Sequence, residues 1–363
     1  PTQHNKLDPN LAQYLNQKML PRLFSDMKKN DWEMTPYVYA RTTPDKGFAG
    51  FLDLPRYSSG YAALHSAISF MPETHMLKPF EDRVYSTYTF MDVMLKLMHD
   101  DFKKIKTARD KAIENTKTKK IFDLNWALDM EKNDLIKFKG YTAKKKPSLI
   151  SGEPRLYYDR NEPFEKMVNH YNYFKITERV QKPIAYLIPQ GYSKIIERLK
   201  WNNVEIKKLE KNKIFEVELY RITNYNTVKN PYEGHYLHRN VKVEKFIQKR
   251  SYSKGDFIVY VNQPSNRYIV ETLEPTAPDS YFAWNFFDGI LQQKEYFSSY
   301  VFEDLAVEIL RKNPELKKRL EEMKKADMEF AKSGYSQLNF IYKNSEHYEP
   351  THQVYPIGRL VKK

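Results

Sequence analysis

The chain has 363 residues, of which 41% are hydrophobic and 15% aromatic, so it is long enough for two domains and too apolar to be disordered. It contains no cysteine, which excludes disulfides, thiol catalysis and cysteine metal sites. The formal net charge of +14 would suit nucleic acid or an anionic membrane, but the lysines are spread along the chain. The sequence has no nucleic-acid-binding motif, so we expect a solvated basic surface and no nucleic-acid partner. It also has no apolar run of membrane-spanning length, so we expect no membrane span.

The first predicted element is a helix between Pro9 and Lys29. Apolar residues recur there at helical spacing, and Pro21 is expected to interrupt the helix. The inward-facing positions are Leu11, Tyr14, Leu15, Met19 and Leu23.

The stretch from Arg56 to Pro79 is the part of the chain that most favours catalysis. A turn of small residues with Tyr57 and Tyr61 leads into a short apolar helical run, and a strand-like Ile68–Met71 then leads to Glu73. A carboxylate at the end of a buried strand, at the rim of an α/β sheet, suits catalysis. On pattern alone, a structural glutamate at a strand terminus is the commoner case.

The residues of this stretch resemble a known enzyme family. Pro55-Arg-Tyr-Ser-Ser-Gly-Tyr61 followed by Phe70-Met-Pro-Glu-Thr-His-Met-Leu-Lys-Pro79 is similar to the C-terminal part of the catalytic domain of the zinc carboxypeptidases, the carboxypeptidase A-like metallopeptidases, and most to their large Bacteroidetes type. The resemblance implies that Glu73 is the general base, which deprotonates the zinc-bound water and passes the proton to the leaving amine. It also implies a substrate contact by Tyr57 on a mobile loop, with Tyr61 as second choice and neighbouring Arg56 as a further substrate-binding candidate.

The zinc ligands of that family are not found in this sequence. None of the nine histidines is followed three places later by glutamate, as the family's His-x-x-Glu motif requires. We therefore expect a C-terminal fragment that binds no zinc by itself and needs the N-terminal part of its own catalytic domain. The parent protein would hold zinc and hydrolyse peptide bonds at the C-terminus of a peptide or protein substrate, in the periplasm or outside the cell.

A long helix is predicted from Glu81 to Thr107. Its apolar positions fall on one face, and such a stripe is typical of a helix side that packs on a core. The stripe consists of Val84, Tyr88, Met91, Leu95 and Met98. The peptidase-like domain is expected to close after this helix, so that it covers residues 1–110, and a polar connector with short strands at 121–124 and 156–158 follows over residues 111–182.

An accessory α/β domain is predicted for residues 183–363. The continuous apolar run Ile184–Ile188, a helix over 191–201 and a strand over 204–209 indicate a parallel strand pair joined by a right-handed crossover. This beginning resembles the glutamine amidotransferase-like domain attached to some of these peptidases, without the cysteine its chemistry needs. The predicted fold class is therefore α/β in both parts of the chain.

Two interpretations stay open beside these. His235 and His238 are three apart, a spacing that shares a metal on a helix but not along a regular strand, so structural or surface roles are favoured. The chain as a whole could also be a non-catalytic carbohydrate- or peptide-binding module with a vestigial peptidase remnant.

Overall fold

The computed structural model describes residues 1–37, 39–40 and 42–361. Near the N-terminus, helix α1 spans Pro9–Tyr14, a π-helical turn spans Leu15–Met19 and helix α2 spans Leu20–Lys29. All five predicted inward residues are buried. The expected interruption at Pro21 is not seen: Pro21 follows directly after the π-helical turn, and the helical run continues past it to Lys29.

The candidate catalytic stretch lies between two helices. Strands β1 (Tyr39–Ala40) and β2 (Phe48–Ala49) precede helix α3 (Ser58–Leu64), and helix α4 (Phe80–Thr118) follows. The strand predicted over 68–71 is not formed, because in the described part of the chain no strand lies beside it. Its backbone is held by Thr2, whose N–H donates to Ser69 O at 2.8 Å and whose Oγ1 accepts the N–H of Ser69 at 2.7 Å.

Two short strands were predicted in the connector, at 121–124 and 156–158. The structure has four strands there, and the two predicted ones are much longer than expected. The four strands are β3 (Ile121–Leu128), β4 (Asp134–Pro147), β5 (Pro154–Tyr171) and β6 (Phe174–Gln181). β4 and β5 form a long antiparallel ribbon whose base joins β2 in a sheet of order β1-β2-β5-β4, with β2 and β5 parallel. β3 pairs antiparallel with β6.

A six-stranded sheet forms the centre of the C-terminal half. It is built from β7 (Ala185–Ile188), β8 (Lys207–Lys208), β9 (Lys213–Thr227), β10 (His238–Tyr252), β11 (Phe257–Tyr260) and β12 (Gly358–Leu360), with helix α5 (Ser193–Trp201) between β7 and β8. The order is β10-β9-β12-β7-β11-β8, and every described pairing is antiparallel. The predicted parallel pair is therefore wrong: β7 and β8 run in the same direction, but β11 lies between them.

Helices complete the C-terminal half. α6 (Asn266–Leu273) packs in the main core, and α7 (Ser299–Lys312), α8 (Pro314–Ala326), α9 (Met328–Lys332) and α10 (Gly334–Lys343) enclose a separate cluster around Phe302 and Leu320. The fold is thus of the α/β class, with helices and mixed sheets. Among the described helices, none combines the length and the apolar character that crossing a bilayer requires.

The main hydrophobic core combines residues that are distant in the sequence. Leu64 of α3, Phe122 of β3 and Val180 of β6 pack in the same cluster as Tyr186 of β7 and Ile269 of α6. A second cluster lies at the N-terminus, where α1 and α2 pack on Val93 and Leu97 of α4. The candidate catalytic stretch is therefore placed between these two cores.

Candidate functional site

Arg56 is bound to the C-terminal half of the chain. Its backbone N–H donates to Oδ2 of Asp279 at 2.9 Å, and its Nε donates to Oδ1 at 2.9 Å. Both side chains are buried, and the guanidinium also lies 5.3 Å from the ring of Tyr232 and 5.4 Å from that of Trp284. The positive charge of Arg56 is therefore already paired, which leaves it poorly placed to attract a substrate carboxylate.

The two candidate tyrosines have different surroundings. Tyr57 directly precedes α3, is half-buried and packs edge-on against Phe51 at a ring distance of 5.1 Å. The Tyr61 hydroxyl donates to Oδ1 of Asn202 at 2.6 Å, and His65 Nε2 lies 3.1 Å from the same oxygen. Tyr61 is thereby tied to the end of α5, whereas Tyr57 has no hydrogen bond to its hydroxyl within the described residues.

Close packing explains why a glycine occupies position 60. A Cβ at this position would lie 2.2 Å from the carbonyl oxygen of Leu54 and 2.4 Å from that of Asp53. α3 can therefore approach the 53–54 backbone only with glycine here. The small residues that resemble a peptidase motif thus lie in the first turn of α3 and allow its close packing.

Glu73 lies on an exposed loop and not at the end of a buried strand. Residues 71–73 are exposed, and in the described chain the Glu73 carboxylate makes no hydrogen bond or ion pair. The neighbouring His75 is also exposed, and its Nδ1 accepts the N–H of Leu77 at 3.2 Å. The carboxylate is accordingly accessible to water and to any second surface that approaches the loop.

The apolar stripe of α4 continues from this loop and faces solvent. The prediction that it faces a core is wrong: Tyr88 is 72% exposed, whereas Leu97 on the opposite face is fully buried. We use the name α4 stripe for the exposed set Phe80, Val84, Tyr85, Tyr88, Met91, Leu95, Met98 and Phe102. Contiguous exposed apolar surface of this extent marks an interaction site. The loop with Glu73 and the α4 stripe therefore form one continuous uncovered surface.

The described residues do not form a zinc site by themselves. Among them, no three or more histidine, aspartate or glutamate side chains are grouped so that they could hold a metal ion. His238 Nε2 lies 3.0 Å from Oδ1 of Asp288 and its Nδ1 lies 3.0 Å from Thr227 Oγ1. His235 packs edge-on against Trp284, so the two histidines have separate partners.

Sequence reasoning did not identify the acidic partners that the structure reveals. Asp279 lies in a Pro-punctuated turn 223 residues from Arg56, and no local pattern connects the two. Glu274 is 1% exposed, and burial raises its pKa to about 7, a shift often found at catalytic sites. Its oxygens accept the hydroxyls of Tyr186 and Tyr220, at 2.5 and 2.8 Å, inside the core. That enclosed position favours a structural role.

The chain was also compared with known proteins. No protein-family model, no curated protein and no solved structure matches it.

Proposed function

We propose that this chain is part of a zinc metallocarboxypeptidase, to which it contributes the carboxylate of Glu73. The observation that carries the proposal is that Glu73 is exposed and unpaired in the described chain, directly before the uncovered α4 stripe. A catalytic carboxylate has to be accessible to water and substrate, and Glu73 meets this condition.

Each candidate residue has a definite role in this proposal. Glu73 accepts a proton from the attacking water and returns it to the leaving amine. Tyr57, whose hydroxyl has no partner in the described chain, contacts the C-terminal residue of a peptide or protein substrate. Tyr61 and Arg56 hold α3 in place through Asn202 and Asp279, which supports Tyr57 indirectly.

In this proposal the zinc ion and its ligands belong to the N-terminal part of the catalytic domain, as the resemblance implies. That part would pack on the loop around Glu73 and on the α4 stripe. The C-terminal half from residue 183 is proposed as an accessory domain, without the amidotransferase likeness because its sheet is antiparallel in every described pairing, and the parent protein as periplasmic or extracellular.

The test uses the protein expressed from the full native gene. We expect zinc-dependent release of C-terminal residues from peptides, and we expect Glu73→Gln to lower kcat by roughly 10²- to 10⁴-fold with unchanged zinc content. The matched control is Glu81→Gln, at an exposed glutamate in the first turn of α4, which should retain activity. The 363-residue chain alone should show no such activity. Full activity of Glu73→Gln would refute the proposal.

The α4 stripe also favours a second candidate, a non-catalytic module for peptides or carbohydrates. An exposed apolar stripe on a helix can take up an amphipathic peptide helix. If the full gene product holds no zinc and releases no residues, but binds peptides in a manner that Leu95→Lys abolishes, this second function replaces the first.

A further inference from the structure

The ribbon of β4 and β5 extends away from the rest of the molecule. Its register pairs Asp134 with His170 at the base and Pro147 with Pro154 at the far end. Fourteen residues at about 3.3 Å each make an arm roughly 45 Å long. Val168 and His170 are buried at its base, while the hydrogen bonds and ion pairs described for residues 142–160 all stay within the ribbon. The outer half is therefore a free-standing arm.

The tip of this arm is aliphatic. Leu149 is 100% exposed and Ile150 is 98% exposed, more than any other large apolar side chain in the described chain. Water is an unfavourable environment for two adjacent aliphatic side chains, and the turn shields neither of them. Placing them at the outermost point of an arm suits contact with an apolar phase.

The backbone of the tip is largely hydrogen-bonded within the turn. Ser148 Oγ accepts the N–H groups of Ile150 and Ser151, at 3.2 and 3.3 Å. The N–H of Gly152 donates to Ser148 O, and the N–H of Ser148 donates to Glu153 O. Because these donors do not depend on water, the turn can leave water with little loss of backbone hydrogen bonding.

Basic residues surround the base of the tip. Residues 144–155 contain four basic side chains and one acidic side chain. Lys144 is paired with Asp159, but Lys145, Lys146 and Arg155 are exposed. Such a collar, three to five residues behind an aliphatic tip, complements an anionic surface that covers an apolar interior.

We propose that this hairpin tip binds the surface of an anionic lipid bilayer. Leu149 and Ile150 enter the apolar region at shallow depth, and Lys145, Lys146 and Arg155 contact the lipid phosphates. A nucleic-acid surface would instead be met by aromatic or arginine side chains at the point of contact, and the outermost side chains here are aliphatic. This inference does not depend on the peptidase proposal.

Vesicle co-sedimentation of the 363-residue chain tests it. We expect binding to vesicles with about one-third phosphatidylserine, weakening as salt is added, and far weaker binding to pure phosphatidylcholine. The double variant Lys145→Gln with Lys146→Gln should weaken binding roughly 25-fold, because each lysine near an anionic surface contributes about a factor of five. Leu149→Ser with Ile150→Ser should weaken it by at least about tenfold.

Control variants use exposed residues elsewhere on strands β4, β9 and β10. Leu135→Ser with Ile214→Ser, and Lys242→Gln with Lys249→Gln, should leave vesicle binding unchanged. All these side chains are exposed, so the unfolding midpoint should stay the same in every variant. Since the chain has no cysteine, Ile150→Cys gives a unique site for an environment-sensitive fluorophore, whose emission should shift to the blue on anionic vesicles.

Three results would overturn the proposal. The first is no binding to anionic vesicles, and the second is binding that neither tip variant weakens. The third is binding to single-stranded DNA that the lysine variant abolishes and the Leu149–Ile150 variant leaves intact, which would assign the arm to nucleic acid instead.

Discussion

The guanidinium of Arg56 and the carboxylate of Asp279 form a buried ion pair, with Nη2 2.5 Å from Oδ1. The pair joins the turn before α3 to the segment after α6 and is covered by two aromatic rings. The backbone N–H of Arg56 also donates to the same carboxylate. Arg56 thus fixes the stretch with the candidate catalytic residues to the C-terminal half of the protein.

Breaking this pair should destabilise the whole protein. Arg56→Gln leaves the charge of Asp279 buried without its partner, so we expect the free energy of unfolding to fall by about 3–5 kcal/mol in urea denaturation. Lys96→Gln, which breaks an exposed pair with Asp92 on α4, should cost less than about 1 kcal/mol. Equal, small effects of the two variants would show that the buried pair has no structural role.

Gly60 gives a second test of how α3 is held. Gly60→Ala places a methyl group against the carbonyl oxygens of Asp53 and Leu54, which are backbone atoms that cannot rotate away. We expect a loss of about 1–3 kcal/mol in the free energy of unfolding. Gly191→Ala is the control, because no atom lies within 4 Å of a Cβ there and its stability should change by less than about 1 kcal/mol.

The sequence predicted local elements better than it predicted their partners. The inward residues of the first helical region and the fully buried strand β7 were both confirmed, because each has one unambiguous apolar pattern. Helix α4 has two apolar faces, and periodicity cannot indicate which one is covered. The predicted β7–β8 pair failed because β11, about fifty residues later in the chain, inserts between them.

In the candidate site, too, local structure was easier to predict than long-range contacts. The short helix was predicted, but it begins directly after Tyr57, because the small residues 58–60 form its first turn instead of a separate turn before it. The partner of Arg56 could not be predicted, because an ion pair across 223 residues leaves no local pattern. Likewise, the exposure of Glu73 depends on whether another strand lies beside residues 68–71, and that is a property of the whole fold.

The two faces of α4 can be told apart by two leucines that are two positions apart. Leu97 is fully buried against α1 and α2, so Leu97→Ala should lower the free energy of unfolding by about 2–5 kcal/mol. Leu95 is 61% exposed on the α4 stripe, so Leu95→Ala should change it by less than about 0.5 kcal/mol. Urea denaturation of both variants measures this, and a reversed order of the two costs would refute the orientation of α4.

The carboxylate of Glu274 lies in the core beside Arg359. The Nε of Arg359 is 2.9 Å from Oε1 of Glu274, and Tyr186 and Tyr220 donate to the two oxygens. Burial raises the pKa of Glu274 from about 4.5 to about 7, since the charged form loses its hydration. The hydrogen bonds from Tyr186 and Tyr220 favour the charged form and therefore limit how far the pKa rises.

The sign of the pH dependence follows from the raised pKa. Below pH 4.5 the carboxyl is protonated in both states, and between pH 4.5 and about 7 the folded protein keeps a proton that the unfolded chain has lost. The contribution of Glu274 to stability should therefore fall as pH rises through this window, by at most about 3 kcal/mol, and stay constant above it. Glu274→Gln cannot ionise, so its free energy of unfolding, relative to that of the unaltered protein, should rise by this amount between pH 4 and 8. The control Glu315→Gln, at an exposed glutamate of α8, should give a curve parallel to that of the unaltered protein. A parallel curve for Glu274→Gln as well would mean that Glu274 is charged in the folded core and that Arg359 outweighs burial.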